Sequence, residues 1–383
     1  MKIFGSLVLL ILAIAFQANA QENYKDVKEG KNELVYTGDK HYTVKMYSQE
    51  FKSKKPKNVI FMIGDGMGVS HVFAGLTANG GHLFLENCKH TGFAKTLSAN
   101  KYVTDSAASG TALATGTKTY NGGLGVDIDT VPLKTILEKA EEQGLATGLV
   151  STSAITHATP GSFIAHQKSR NMYEEIAGDF LKTDIDVFIG GGYKHFTERK
   201  DGKDLTVDLK AKGYQVLRDM ESISKVTSGK LAGLVAPEHI GRVAERGDML
   251  PVATQTALNI LDNDKDGFFL MVEGSQIDWG GHQNSTIYIV EDMLDFDQAI
   301  GKALEFASKD KKTLVVITAD HETGGFAVLD GNLKTGETMG KFTIGTHSAV
   351  MVPVFAYGPG AKEFTGIMDN TDLNKKISKL LLK

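Results

Sequence analysis

Asn58-Val-Ile-Phe-Met-Ile63 runs straight into Gly64-Asp-Gly-Met-Gly68, and helical spacing resumes from Val69 to Leu76. An unbroken apolar run of this length reads as a strand buried on both faces, the kind found inside a parallel sheet. The glycines permit a tight exit, and a helix follows. Strand, glycine-rich turn and helix form the repeating unit of α/β folds. The unit recurs along the chain. Leu133 to Gln143 is predicted helical and stops at Gly144; Ala146 to Ser151 is the next strand. A turn at Thr156 to Gly161 leads into a helix expected to reach about Arg170, with another at Ile176 to Lys182. Val187 to Ile189, Phe268 to Val272, Thr313 to Thr318 and a last strand at Val352 to Ala356 alternate with helices at Met249 to Asp262, Ile287 to Phe306 and Leu373 to Leu382. The expected fold is α/β, with a large central, mostly parallel sheet and helices on both faces.

The rest of the composition bounds the problem. The 383 residues hold 46 acidic against 42 basic side chains, with no basic stripe, so no nucleic-acid-specific surface is indicated. Met1-Lys2, an apolar run from Ile3 to Phe16 and the exit Gln17-Ala-Asn-Ala20 read as a secretory signal cut after Ala20. The apolar run is too short to span a membrane comfortably, so no membrane anchor is expected after cleavage. Residues 1–20 are therefore set apart from one catalytic domain at 21–383, periplasmic or secreted. Within it, residues 21 to 57 read as a polar lead-in, with an alternating piece at His41 to Met46. Residues 193 to 248 are charged and Lys-rich and read as a peripheral segment, helical near Leu205 to Lys212. Cys88 is the single cysteine, which excludes an internal disulfide.

A second stretch carries the chemistry. In Thr104-Asp-Ser-Ala-Ala-Ser109 the small residues from Ala107 to Thr115 can wind into a helix, leaving Ser106 at or near its N-terminus. Free N–H groups and the helix dipole favour an anion there. Ser106 is then either a simple cap or a nucleophile. The surrounding chain bears on that choice. Asp65, Glu273 and Asp320-His321 fall at the exits of apolar strands, Asp278 and His282 share one face of a helical turn, and His347 lies in a Gly-rich loop. In open α/β sheets ligands bind at strand C-terminal ends. Imidazole and carboxylate sets suit zinc, and oxygen-rich sets suit magnesium.

With these motifs together the chain resembles an alkaline phosphatase from about Lys57 onward. The resemblance rests on Gly64-Asp-Gly-Met-Gly68, Thr104-Asp-Ser-Ala-Ala-Ser109, Ala158-Thr-Pro160, Val272-Glu-Gly274, Ile277-Asp278 with His282, and Thr318-Ala-Asp-His-Glu-Thr-Gly324. It implies hydrolysis of small phosphate monoesters through a phosphoserine at Ser106, with two Zn2+ and one Mg2+. Asp278, His282 and His347 match the ligands of the first zinc; Asp65, Asp320 and His321 match those of the second. Thr159 and Glu273, with Asp65 bridging, match the magnesium site, and Arg170 matches the guanidinium that grips phosphate. A monomer or a homodimer is compatible with the resemblance. The other histidines, His239 among them, are expected to be surface or core residues.

Two positions depart from the enterobacterial pattern. His157 stands where that type has Asp, and Trp279 where it has Lys; both are expected to border the bound substrate. His157 would make the third metal site less exclusive for magnesium, and Trp279 removes a cation near the phosphate. Two other activities stay open: a phosphodiesterase or sulfatase of related architecture, and a secreted metal- or phosphate-binding protein without turnover. Asn87-Cys-Lys-His90 does not match the Cys-x-Pro-x-Arg type motif of sulfatases.

Overall fold

The computed structural model describes residues 33–38, 41–51 and 53–383. The signal-peptide expectation at 1–20 lies outside these. In chain order the strands are β1 (Val35–Tyr36), β2 (Asn58–Gly64), β3 (His90–Lys95), β4 (Ala146–Ala154), β5 (Val187–Gly191), β6 (Gln215–Leu217), β7 (Leu231–Leu234) and β8 (Phe268–Gly274). They continue with β9 (Thr313–Thr318), β10 (Glu322–Thr323), β11 (Ala327–Asn332), β12 (Glu337–Lys341), β13 (His347–Ser348), β14 (Val352–Tyr357) and β15 (Gly366–Asp369).

Ten of them form one sheet in the order β15-β3-β14-β9-β2-β8-β4-β5-β7-β6. Only β14 runs against its neighbours β3 and β9; every other pairing in this sheet is parallel. The central strands β2, β4, β8 and β9 are buried at every position, as strands covered on both faces must be. Phe268 and Phe269, adjacent on β8, point to opposite faces. Phe268 packs on Phe306 of the helix Thr286–Asp310, and Phe269 stacks on Phe163, which follows the short helix Ala158–Gly161. Helices thus cover both sides, as expected.

Several local expectations change. The helix expected up to Arg170 is a single turn, Ala158–Gly161. Beyond it Gln167 pairs with Leu124 in an isolated antiparallel bridge, and the Arg170 N–H bonds Gly122 O at 2.8 Å. Those backbone groups are committed to another segment and cannot continue a helix. The helix expected from Leu133 begins at Ile136, because the Leu133 N–H bonds Gly125 O and Thr135 forms a capping box with Glu138. The charged segment 193–248 contributes β6 and β7, which extend the main sheet at one edge. Val352–Tyr357 is not the last strand, since β15 follows and pairs with β3. His347 lies in the two-residue strand β13, paired with β10. The piece His41 to Met46 forms no strand; the Tyr42 N–H donates to Asn79 Oδ1 at 2.7 Å instead. Among the described residues no helix is long and apolar enough to cross a membrane.

One ion pair ties the loop before the helix Ile136–Glu142 to the helix itself. His166 donates from Nδ1 to Gly125 O at 2.8 Å and from Nε2 to Glu138 Oε1 at 3.0 Å. The bond to Glu138 raises the imidazole pKa above its ordinary value against the opposing effect of burial. Burial opposes ionisation of Glu138, yet the bonds from His166 and Thr135 hold its carboxyl below the usual range. A histidine with a raised folded pKa stabilises fully below its unfolded value and loses that contribution as pH rises through the folded one. The stability gap between the wild type and His166→Gln should therefore shrink by about 1 kcal/mol or less between about pH 6 and pH 9, the pair being part-exposed. Denaturant unfolding at the two pH values checks this, and a constant gap contradicts it.

Candidate functional site

Four neighbouring strands of the sheet, β9-β2-β8-β4, end beside one another. Asp320 comes just after β9, Asp65 follows β2, Glu273 is the next-to-last residue of β8, and His157 and Thr159 follow β4. Parallel strands lie about 4.8 Å apart, so side chains at adjacent exits fall within reach of a shared ion. Gly66 makes the close approach at the β2 exit. It has φ of 74°, and a Cβ there would lie 2.6 Å from Asp278 Cα. That contact seats the Asp65 loop against the helix Gln276–His282, which carries Asp278 and His282 on one face.

Three groups of ligand-type atoms converge: Asp278 with His282 and His347; Asp65 with Asp320 and His321; Asp65 with His157 and Glu273. In the first, His282 Nε2 and His347 Nε2 face each other at 3.2 Å, and they stand 3.4 and 3.6 Å from the Asp278 carboxylate oxygens. Their Nδ1 atoms bond Gly345 O and Thr104 O, each at 2.9 Å. A carbonyl accepts only from N–H, so in the neutral rings both Nε2 atoms carry lone pairs toward the same point. In the second, His321 Nε2 is 3.4 Å from Asp65 Oδ1 and 3.2 Å from Asp320 Oδ2. Tetrahedral zinc holds ligands at about 2.0–2.2 Å, which places neighbouring ligand atoms roughly 3.3 Å apart.

The unpaired atoms point the same way. Asp65 Oδ1, Asp320 Oδ2 and Glu273 Oε1 are buried without a hydrogen-bond donor among the described residues. Burial and repulsion from Asp320, Asp278 and Glu273 push the Asp65 carboxyl well up. Burial and Asp278 push Asp320 up to about 7. Burial opposes ionisation of Asp278 too, but His282, His347 and His321 together pull it well below the carboxylate range. Burial pushes His321 and His347 down, toward the neutral form that ligates metal. The donor set fits cations.

Ser106 is the first residue of the helix Ser106–Thr115. Asp105, not Ser106, is the cap: its Oδ1 accepts from the Ala108 N–H at 2.9 Å. The Ser106 hydroxyl is thereby left for other work, and it lies 3.2 Å from His321 Nε2. The second Asp105 oxygen accepts from Arg170 Nη1 at 3.2 Å, and Arg170 Nη2 donates to His157 Nε2, also at 3.2 Å. The guanidinium is held from two sides beside the serine. Thr159 Oγ1 donates to Asp65 Oδ2 at 3.4 Å. Trp279 is buried and meets His157 edge-on, ring centroids 6.3 Å apart.

Sequence reasoning missed the layer behind these residues. Thr323 donates to Asp278 Oδ1 and lies 3.2 Å from His321 Nδ1. Ser151 donates to Glu273 Oε2 at 2.6 Å and contacts Ser153 and Ser275. Ser348 donates to Glu322, fixing the strand that carries His347. His239 packs against both His157 and Trp279. Thr323 sits inside a quoted motif and was within reach; Ser151 and His239 carry no local signal.

Comparison with known proteins gives consistent matches. The alkaline phosphatase family profile matches residues 56–341. The chain is 36% identical to alkaline phosphatase 3 of Bacillus subtilis (strain 168), over 85% of this chain and 89% of that protein. It is 34% identical to the alkaline phosphatase of Escherichia coli (strain K12), over 88% of each. The solved alkaline phosphatase of the Antarctic bacterium TAB5 superposes with a TM-score of 0.80 at 42% identity, covering 86% of this chain and 98% of that one. A variant of that enzyme has been solved with Mg bound in a site called M3.

Chelation should expose the repulsion among the carboxylates. An aspartate whose folded pKa is raised takes its proton preferentially in the folded state, so its contribution falls as pH rises toward that value. Metal-stripped protein should therefore melt lower at about pH 8 than at about pH 6, because Asp320 titrates near 7. Metal-loaded protein should not show this loss. Thermal melts of both forms test it; parallel pH profiles contradict it.

Proposed function

The chain belongs to the alkaline phosphatase family, and from that premise we propose that it hydrolyses phosphate monoesters through a phosphoserine at Ser106. The family consists of metal-dependent phosphomonoester hydrolases. The observation that carries the reading is the Ser106 hydroxyl 3.2 Å from His321 Nε2, itself grouped with Asp65 and Asp320. Asp278, His282 and His347 would hold one Zn2+, and Asp65, Asp320 and His321 the other. Asp65, Glu273 and Thr159 would hold Mg2+, with His157 close enough to join them. The solved TAB5 variant with Mg in its M3 site supports a third ion of this kind. Bound metal would supply Lewis acidity that lowers the serine pKa and neutralises charge on the phosphoryl oxygens.

The chain's own groups do the rest. Ser106 Oγ attacks phosphorus in line, the ester P–O bond breaks, and the alcohol departs with a proton. Water then attacks the phosphoseryl group, the Oγ–P bond breaks, a proton from that water returns to Ser106 Oγ, and inorganic phosphate leaves. Arg170 offers a planar fork to two non-bridging oxygens; Asp105 and His157 keep that fork from swinging away. His157 and Trp279 border the same space. Trp279 brings no positive charge there, which favours phosphate release. Recognition confined to the phosphoryl group leaves the alcohol portion unspecified, so broad specificity follows. The apolar run and Ala18-x-Ala20 support export to the periplasm or beyond.

Ser106→Ala should lower kcat by about 10³-fold or more, as removal of a nucleophile does. Wild-type protein quenched in acid with a radiolabelled monoester should carry label at Ser106. Full activity of Ser106→Ala would sink the mechanism. Faster turnover of a diester or a sulfate than of a monoester would favour the rival activities.

A further inference from the structure

We propose that His239 is a positioning residue of the phosphoryl site, acting on Arg170 through His157; the inference rests on Arg170 gripping the phosphoryl group. His239 comes from the loop after β7, in the charged segment at the sheet edge. Its Nδ1 accepts the Ala154 N–H at 3.1 Å. The Ala154 carbonyl in turn accepts the His157 N–H at 2.8 Å. One residue at the end of β4 therefore registers both histidines. Their rings meet edge to face, with centroids 5.3 Å apart at 88°. Trp279 closes the cluster, 4.8 Å from His239 at 78°. Perpendicular ring contacts of this kind are attractive and directional.

The loop that carries His239 is fixed on both sides. Gln276 Nε2 donates to Ile240 O at 2.7 Å and to Thr152 O at 2.8 Å, while its Oε1 accepts from Tyr288 OH at 2.7 Å. Gln276 opens the helix that bears Asp278 and Trp279. One buried amide thus binds the His239 loop, β4 and the ligand helix together. Arg246, itself buried between Asp292 and Asp295, donates to Gly241 O at 3.1 Å and holds the same loop from beyond. The His239 ring consequently has one place to go. There it sets the His157 ring plane, and that plane decides whether His157 Nε2 lies 3.2 Å from Arg170 Nη2. Without the wedge His157 can turn, and Arg170 loses its bond to His157 Nε2.

The test is a double-mutant cycle read by inhibition with inorganic phosphate. His239→Ala should raise the phosphate inhibition constant about fivefold and lower kcat/KM similarly without lowering kcat, the pattern of lost binding in a coupled contact. In an Arg170→Ala background the same change should do nothing further. If His239→Ala does not fold, His239→Asn keeps an acceptor for Ala154 but removes the ring, and should weaken phosphate binding alike. An unchanged inhibition constant in either folded variant overturns the proposal, as do effects that multiply with those of Arg170→Ala. An Arg170→Ala protein that binds phosphate as tightly as wild type overturns the underlying grip instead, a distinct result.

Discussion

Four carboxylates are buried together, Asp65, Glu273 and Asp320 at the ends of adjacent strands and Asp278 on the helix Gln276–His282, and their mutual repulsion is the constraint that shapes the rest of the site. Burying one unpaired charge costs several kcal/mol, and a cluster cannot persist on hydrogen bonds alone. The chain supplies some relief. Gly66 and His321 donate backbone N–H groups to Asp320, Ser151 donates to Glu273, and Thr323 donates to Asp278. Three carboxylate oxygens, on Asp65, Asp320 and Glu273, still lack a donor among the described residues, and these residues make up the two groups that share Asp65, each with one imidazole. Cations complete the balance. The same cations are what a serine hydroxyl needs if it is to ionise near neutral pH.

The fold explains why the cluster can exist. A parallel sheet brings the C-terminal ends of β9, β2, β8 and β4 to one edge, each offering a short polar exit from a wholly buried strand. The helix Ser106–Thr115 then sets its N-terminus toward that edge, and Asp105 takes up the capping role. This division of labour matters. A serine that capped its own helix would spend its oxygen on a backbone N–H. With Asp105 as cap, Ser106 faces His321, and the second Asp105 oxygen steadies Arg170. One aspartate therefore caps the helix that begins with Ser106 and holds the Arg170 guanidinium, the two groups to which the proposed mechanism gives attack and phosphoryl binding.

Much of this was legible because it is local. Apolar runs ending in Asp65, Glu273 and Asp320-His321 mark strands and their exits, and the spacing of Asp278 and His282 places both on one helical face. Arg170 lies on a different element from the helix that the sequence suggests. Apolar spacing beyond Gly161 suggests a helix, whereas Gln167 pairs with Leu124 and turns the chain back toward Ser106. That pairing is between distant segments and leaves no periodic trace. His239 reads from the sequence as an ordinary surface or core residue for the same reason: its partners Ala154, His157 and Trp279 come from β4, the turn after it and a later helix, while its own neighbourhood is charged and irregular. Short strands such as β6, at the edge, and β7 beside it give too few residues for alternation to show.

The central claim is that Asp65 is shared between two of three cation groups, while Asp278 serves one. Elemental analysis of purified protein after exhaustive dialysis tests it most directly. Asp278→Ala should lose one equivalent of metal relative to wild type, and Asp65→Ala should lose two. Equal losses in the two variants, or an Asp65→Ala protein that keeps the wild-type metal content, would contradict the account.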